Sequence, residues 1–481
     1  MRGRGPLALL GLVVLAGALL RIAGVGQNLF GDELFAYFEV HGRSLGGVFE
    51  QLRAPPVAFP TEVSPPLFFV LARAADALGD PVALRVPSLV AGTGTIAVVW
   101  ALGRRVTGEG AGLVGAAVLA LSPYAIFYSQ EARPYALMML LVALSTLGAL
   151  GIASGRGRGW WGLYAVAAVG AAYTHYTAIF ALAVQAVWLL WVRRDARGPL
   201  LALHLGMAVA YLPWLPSVDA KGLQAAVLGS SFAPRSFLAV LGHVFPGQAF
   251  LPLETVPGLA WAVLALLGVL AAGVLVARRQ KGVPRPVALL LLVALATPVG
   301  LALYALVTGD TLLSARNLAA SVPAGASLLG VLLTAPRPAW AARACAAAVL
   351  VALTVGAVRT RGEAAEVRDS ENRQVAGVID REARPGDAVL LVTPEAAASP
   401  LGRSLAMYFT RPHPYATSAA PARAWAAIGR GRRVFLVYPA VRVFARLGPG
   451  TVLPDHRDAV ARTVRTFPDR VPTRVAVFAP R

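Results

Sequence analysis

Gln27-Asn28-Leu29-Phe30-Gly31-Asp32-Glu33-Leu34-Phe35-Ala36-Tyr37 follows directly on a long apolar run, residues 6–26. Two adjacent carboxylates therefore stand where a membrane-spanning helix would end. An acidic side chain at such a boundary is costly unless it meets water, a cation or a substrate. The expectation is that Asp32 and Glu33 line a wet site just outside the bilayer. A plainer reading is a capped helix start, since Gly-Asp-Glu before Leu-Phe suits a helix N-terminus.

The rest of the chain supports the membrane reading. Of 481 residues, 57% are hydrophobic and only 14% charged, and apolar runs of bilayer-spanning length recur throughout. The class is a polytopic α-helical membrane protein. The formal net charge of +20 is almost all Arg, with Lys only at Lys221 and Lys281. Such a balance suits nucleic acid in some proteins. Here the Arg clusters sit at the ends of apolar runs, where they hold topology, so no nucleic-acid partner is expected. Cys345, the single cysteine, excludes an intrachain disulfide and reads as a packing residue in an apolar run.

Arg2 and Arg4 place the N-terminus in the cytoplasm. The start resembles a signal peptide, but no small-x-small cleavage site precedes Arg21, so an uncleaved first helix is expected. Treating the later Arg clusters as cytoplasmic gives spans at 6–26, 86–103, 111–127, 134–154, 159–174, 176–192, 199–217, 257–277, 286–307, 318–334 and 341–358. That is about eleven spans, in a transmembrane domain over 1–360 with an outer loop at 27–85. Pro66–Asp76 is apolar but short and carries two charges, so it is expected to lie in the membrane surface. Beyond about Arg361 the apolar runs stop. A helical pattern over Glu371–Arg384 leads into the turn Arg384-Pro385-Gly386-Asp387, and strands are expected at Ala388–Thr393, Arg433–Tyr438 and Arg474–Phe478. Residues 361–481 thus read as a small α/β domain, extracytoplasmic by this topology.

The same topology puts the reactive residue types on one face, although only Lys and Arg clusters set it. Asp32 and Glu33 are candidates for a general base and a neighbour that orients substrate. Glu62, before Ser64-Pro65-Pro66-Leu67, is a third acid that reaches the same cavity or is an exposed loop acid. Tyr128-Ser129-Gln130-Glu131-Ala132-Arg133-Pro134-Tyr135 interrupts a hairpin of two spans. Arg133 there suits a phosphate, because guanidinium binds phosphate oxygens in a bidentate way, or it simply pairs with Glu131. Within Thr174-His175-Tyr176, His175 lines the site or is a satisfied structural histidine. It has no second histidine at metal-ligand spacing, which argues against zinc. Asp310 and Arg316 flank Thr311–Ala315 outside a late span, and Arg316 is a second candidate for phosphate.

Gly31-Asp32-Glu33, Ser64-Pro65-Pro66-Leu67, Tyr128-Ser129-Gln130-Glu131-Ala132-Arg133-Pro134-Tyr135 and Thr174-His175-Tyr176, in that order, resemble the bacterial GT-C membrane glycosyltransferases. The nearest groups are glycosyltransferase family 39, which includes the protein O-mannosyltransferases, and the related lipid A aminoarabinose transferases. The resemblance covers roughly residues 1–335, and Ser-Gln-Glu-Ala-Arg-x-Tyr is its most specific part. Arg316 sits where such proteins often carry Arg-Tyr, but Asn317 follows it here. The resemblance implies a monosaccharide donor on a polyprenyl phosphate and an acceptor protein, lipid or glycan. It assigns Asp32 as base with Glu33 beside it. Glu62, Gln130, Glu131, Arg133, Tyr135, His175, Tyr176 and Arg316 become substrate or phosphate contacts. It implies no nucleotide sugar and no obligatory cofactor, while a divalent metal on Asp32, Glu33 or Glu62 stays compatible with the pattern. The implied location is the cell membrane. Two other classes compete: a transporter of polyprenyl-linked lipid and a non-catalytic envelope scaffold. Transporters place charge near the midplane in two related halves. This chain keeps it at one surface and shows no repeat.

Overall fold

The computed structural model describes residues 4–29, 31–53, 64–221, 283–308, 312, 314–335, 338–368, 372–393, 402–439, 449–452, 456–467 and 473–480. Glu62, Asp310 and the span expected at 257–277 lie outside them. The chain divides into two compact units, Met1–Gly26 with Glu39–Glu363, and Gln27–Phe38 with Ala364–Arg481.

The first unit is helical. Among the described residues, seven helices are long and apolar enough to cross a membrane, or eight if one bent pair is a single span. Two shorter apolar helices, Gly159–Ala172 and Ala178–Val192, fall where spans were expected. The protein is a multi-pass membrane protein. Leu67–Asp76 is a separate ten-residue helix that buries Phe68, Phe69, Ala72 and Ala75.

Small residues let these helices approach closely. Gly115 of helix Glu109–Leu121 faces Ala326 and Ser327 of helix Val322–Thr334, and Gly330 sits so near the Ala111 carbonyl that a methyl there would collide with it. Cys345, expected to pack, is instead exposed on its helix; that helix, from Ala339, keeps most of its apolar surface outward, as a lipid-facing span does.

One expected span is broken. The apolar run at 111–127 forms two helices, Glu109–Leu121 and Pro123–Ser129, that meet at 61°. Pro123 has no N–H and its ring clashes with the preceding turn. Ser122 then starts a new helix by accepting from the Ala125 N–H at 3.3 Å.

In the second unit a five-stranded sheet has the order β2-β1-β3-β5-β4: β1 Ala388–Leu391, β2 Tyr415–Thr417, β3 Val434–Pro439, β4 Ala459–Phe467 and β5 Thr473–Pro480. β1 runs parallel to β2 and β3, while β5 is antiparallel to β3 and β4. Helices Asn372–Glu382 and Ala422–Gly429 cover the two faces through Val375, Ala376 and Ile379, and through Ala424, Ala427 and Ile428. β2 and β4 were not foreseen. β2 is three residues long, and β4 breaks its apolar positions with Arg462-Thr463 and Arg465-Thr466.

The turn before β1 is built around one carboxylate. Gly386 adopts φ +90°, which a side chain resists. Asp387, 2% exposed, accepts from Arg384 N (2.8 Å), Arg433 N (2.9 Å), Arg433 Nε (3.0 Å) and Arg433 Nη2 (2.7 Å). Burial pushes the Asp387 carboxyl up, but these hydrogen bonds and the Arg433 charge together hold it below the usual carboxylate range. A carboxyl depressed in the fold contributes stability above its ordinary titration range and loses it as pH falls through the folded value. Asp387→Asn is expected to cost about 2–4 kcal/mol, the scale of charge-assisted bonds lost from a buried group. Thermal unfolding from pH 7 down to pH 3 checks this. The gap between wild type and variant should shrink as the pH drops.

Candidate active site

A cavity of about 830 Å³ opens in the helical unit. Its walls come from the helix pair Gly159–Ala172 and Ala178–Val192 and from helix Arg197–Tyr211, and they are mostly apolar: Ala168, Ala172, Leu182, Ala183, Ala186, Met207 and Ala208. Where the helices end, the lining turns polar and aromatic, with Ser64, Arg133, Tyr135, His175, Tyr176, Arg316 and Asn317. Tyr164 Oη of helix Gly159–Ala172 and His204 Nε2 of helix Arg197–Tyr211 lie 3.0 Å apart, and His204 Nδ1 donates to Leu200 O at 2.7 Å.

The polar residues are placed by a chain of rings. Tyr124 and Tyr128 have centroids 4.5 Å apart, Tyr128 and Tyr135 5.0 Å, and Tyr135 and His175 5.4 Å. Edge-on and tilted geometries of this kind are favourable for aromatic pairs. Tyr124 Oη donates to Ala315 O at 2.7 Å, which ties the rings to the segment carrying Arg316. Asn317 Nδ2 in turn donates to Leu312 O at 2.5 Å.

Arg133 is 6% exposed and lies 5.8 Å from the Tyr135 ring centroid, within cation–π range. Its backbone is held twice, by its own N–H to Glu131 O (2.7 Å) and by Ser88 Oγ, which donates to Arg133 O at 2.9 Å. At His175, the Thr177 N–H donates to Nδ1 at 3.3 Å. A backbone N–H can only donate, so in the neutral ring the proton sits on Nε2.

The structure thus gathers five of the expected site residues round one cavity: Arg133, Tyr135, His175, Tyr176 and Arg316. Gln130 and Glu131 are buried beside it rather than lining it. Gln130 Nε2 donates to Leu20 O (3.1 Å) and Arg21 O (2.9 Å), so that amide anchors the first helix. Asp32 and Glu33 belong to the other unit. There they open helix Asp32–Val40 after Gly31 (φ +49°); Asp32 is half-buried and Glu33 fully buried. The segment carrying them is fastened within that unit, as Leu29 N donates to Tyr408 Oη at 2.9 Å and the Arg403 guanidinium lies 4.6 Å from the Phe38 ring centroid.

Two buried arginines escaped the sequence reading. Arg85, fully buried at the head of helix Val86–Val106, donates to Val25 O at 2.7 Å. Arg21 is also fully buried. Each is a single Arg at a helix end, a pattern that reads as a topology signal. No group of three or more His, Cys, Asp or Glu side chains among the described residues is spaced to hold a metal ion.

Residues 63–218 match the family model described as dolichyl-phosphate-mannose-protein mannosyltransferase. The chain is similar to ArnT from Cupriavidus metallidurans bound to undecaprenyl phosphate, with a TM-score of 0.59, 15% identity and coverage of 98% of both chains. The chain has a GT-C fold, and its residues 63–218 carry the match to the mannosyltransferase family model. The fold also resembles that of AglB, an oligosaccharyltransferase of Archaeoglobus fulgidus, in complex with an inhibitory peptide and a dolichol-phosphate (TM-score 0.51, 12% identity, 90% of this chain and 69% of that one). A third likeness is to the Archaeoglobus fulgidus oligosaccharyltransferase in complex with Zn and sulfate (TM-score 0.51, 11% identity, 90% of this chain and 68% of that one). No curated protein matches the chain in sequence.

Proposed function

We propose that the transferase moves a monosaccharide from a polyprenyl phosphate to an acceptor hydroxyl at the outer face of the cell membrane, with inversion. The observation that carries this is the cavity itself, an apolar trough whose helix-end lining holds Arg133, Arg316 and His175. A lipid phosphate is apolar along its length and anionic at one end, and the trough has the matching distribution. That the solved relatives ArnT and AglB hold undecaprenyl phosphate and dolichol-phosphate supports the reading.

In the proposed reaction the acceptor oxygen attacks the anomeric carbon on the face opposite phosphate. The bond from that carbon to the phosphate oxygen breaks, and its electron pair leaves with the polyprenyl phosphate. The acceptor proton passes to the Asp32 carboxylate, with Glu33 beside it. Arg133 and Arg316 offset the charge that develops on the leaving phosphate. The C-terminal unit lies outside the cell in this reading, with the N-terminus inside.

The test supplies radiolabelled polyprenyl-phosphate sugars to membranes that contain the protein. Label should move to an acceptor. Label carried across the bilayer without transfer would mark a transporter, and label that stays put with every sugar would mark a scaffold.

A further inference from the structure

Arg21 is a full positive charge within the first helix, Arg4–Ile22, and it is 0% exposed. Such a group is expensive in a membrane protein unless its donors are used. Here all three guanidinium nitrogens are. Nε donates to Ser129 Oγ at 3.1 Å, Nη1 to Gly17 O at 2.9 Å and Ala120 O at 3.2 Å, and Nη2 to Leu119 O at 3.2 Å.

Two of these acceptors are special. Leu119 and Ala120 end the helix that breaks at Ser122-Pro123. The donor that Leu119 O would ordinarily take, four residues on, is Pro123, which has no N–H. The partner due to Ala120 O is Tyr124, already beyond the 61° bend. Arg21 therefore supplies from a different helix the donors that the bend removes, as a helix cap does. Ser129 and Gln130 complete the fastening on the far side of the bend, the latter by donating back to Leu20 O and Arg21 O. Arg133 stands three residues beyond Gln130.

We propose that Arg21 is a positioning residue for phosphate recognition: it fixes the break at Pro123 and so sets where Arg133 stands in the cavity lining. The proposal rests on the donor reading above. Arg21 touches no substrate in it and acts through Arg133.

The test is binding of undecaprenyl phosphate to the purified full-length protein in nanodiscs, which needs no transfer. Wild type, Arg21→Lys, Arg133→Ala and the double variant are compared, with melting temperature measured alongside. Lysine keeps the charge but cannot reach two carbonyls and a hydroxyl together. Arg21→Lys is expected to weaken binding about tenfold, the loss of one charge-assisted contact. In the double variant it should add little to Arg133→Ala, because both act on one contact. Gly92→Ala gives a second route, since its methyl would overlap Ser129 Oγ while Arg21 stays in place, and it should weaken binding in the same direction. Wild-type binding in a folded Arg21→Lys, or effects that multiply in the double variant, would overturn the positioning role. Wild-type protein that binds no undecaprenyl phosphate would instead overturn the donor reading.

Discussion

Asp32→Asn should lower turnover by at least about a hundredfold, the lower end of what a positioned general base contributes, while the protein still inserts and folds. The substitution separates the two meanings of the acid pair. Asp32 opens helix Asp32–Val40, and an acid there also serves as a cap. Asparagine caps as well as aspartate does, so a structural role survives the change. It cannot take a proton from a hydroxyl at neutral pH, so a catalytic role does not. Single-turnover kinetics with saturating lipid donor read the chemical step directly. Near-normal rates with an unchanged melting temperature would remove Asp32 from the reaction. Glu33 is fully buried, and Glu33→Gln is a useful companion, because a neighbour that only orients substrate should alter the Michaelis constant more than turnover.

Arg133→Ala should raise the Michaelis constant for the lipid donor about 10- to 100-fold, the range that a lost hydrogen bond to a charged group implies. Its backbone is secured by Ser88 and by its own turn, so truncation empties the lining without releasing the loop. Arg133→Lys keeps the charge and loses the planar fork, and should fall between the two. The competing idea, that Glu131 and Arg133 merely anchor the turn, makes a different forecast. Under it, Glu131→Gln and Arg133→Ala would lower the melting temperature alike and leave donor affinity intact.

These two forecasts use residues that were visible in the sequence, and the reason is chemical. Asp32, Arg133, His175 and Arg316 interrupt apolar runs, where a charged or titratable side chain stands out. Residues whose work is internal were harder to see. Arg21 reads as a flank of the first apolar run, and only coordinates show that it satisfies carbonyls about a hundred residues away in sequence. Gln130 looked like a substrate contact because it sits in the same polar run as Arg133, yet its amide nitrogen faces backbone oxygens. Pro123 was in plain view inside 111–127, but hydropathy alone ran the span through it. In the C-terminal unit the strands expected on apolar grounds are β1, β3 and β5. β4 was hidden because Arg462 and Arg465 give a strand the polarity of a loop. Edge strands often carry such charges, which discourage pairing with a second molecule.

Five side chains a single carbon long, Ala168, Ala172, Ala183, Ala186 and Ala208, stand in the wall of the trough beside Arg133. If the trough holds the donor's hydrocarbon tail as proposed, each added methylene at one of these five places would narrow the space for it and leave the cationic end untouched. On the proposed donor reading, single substitutions there would change which isoprenoid fits while the cationic end keeps its chemistry.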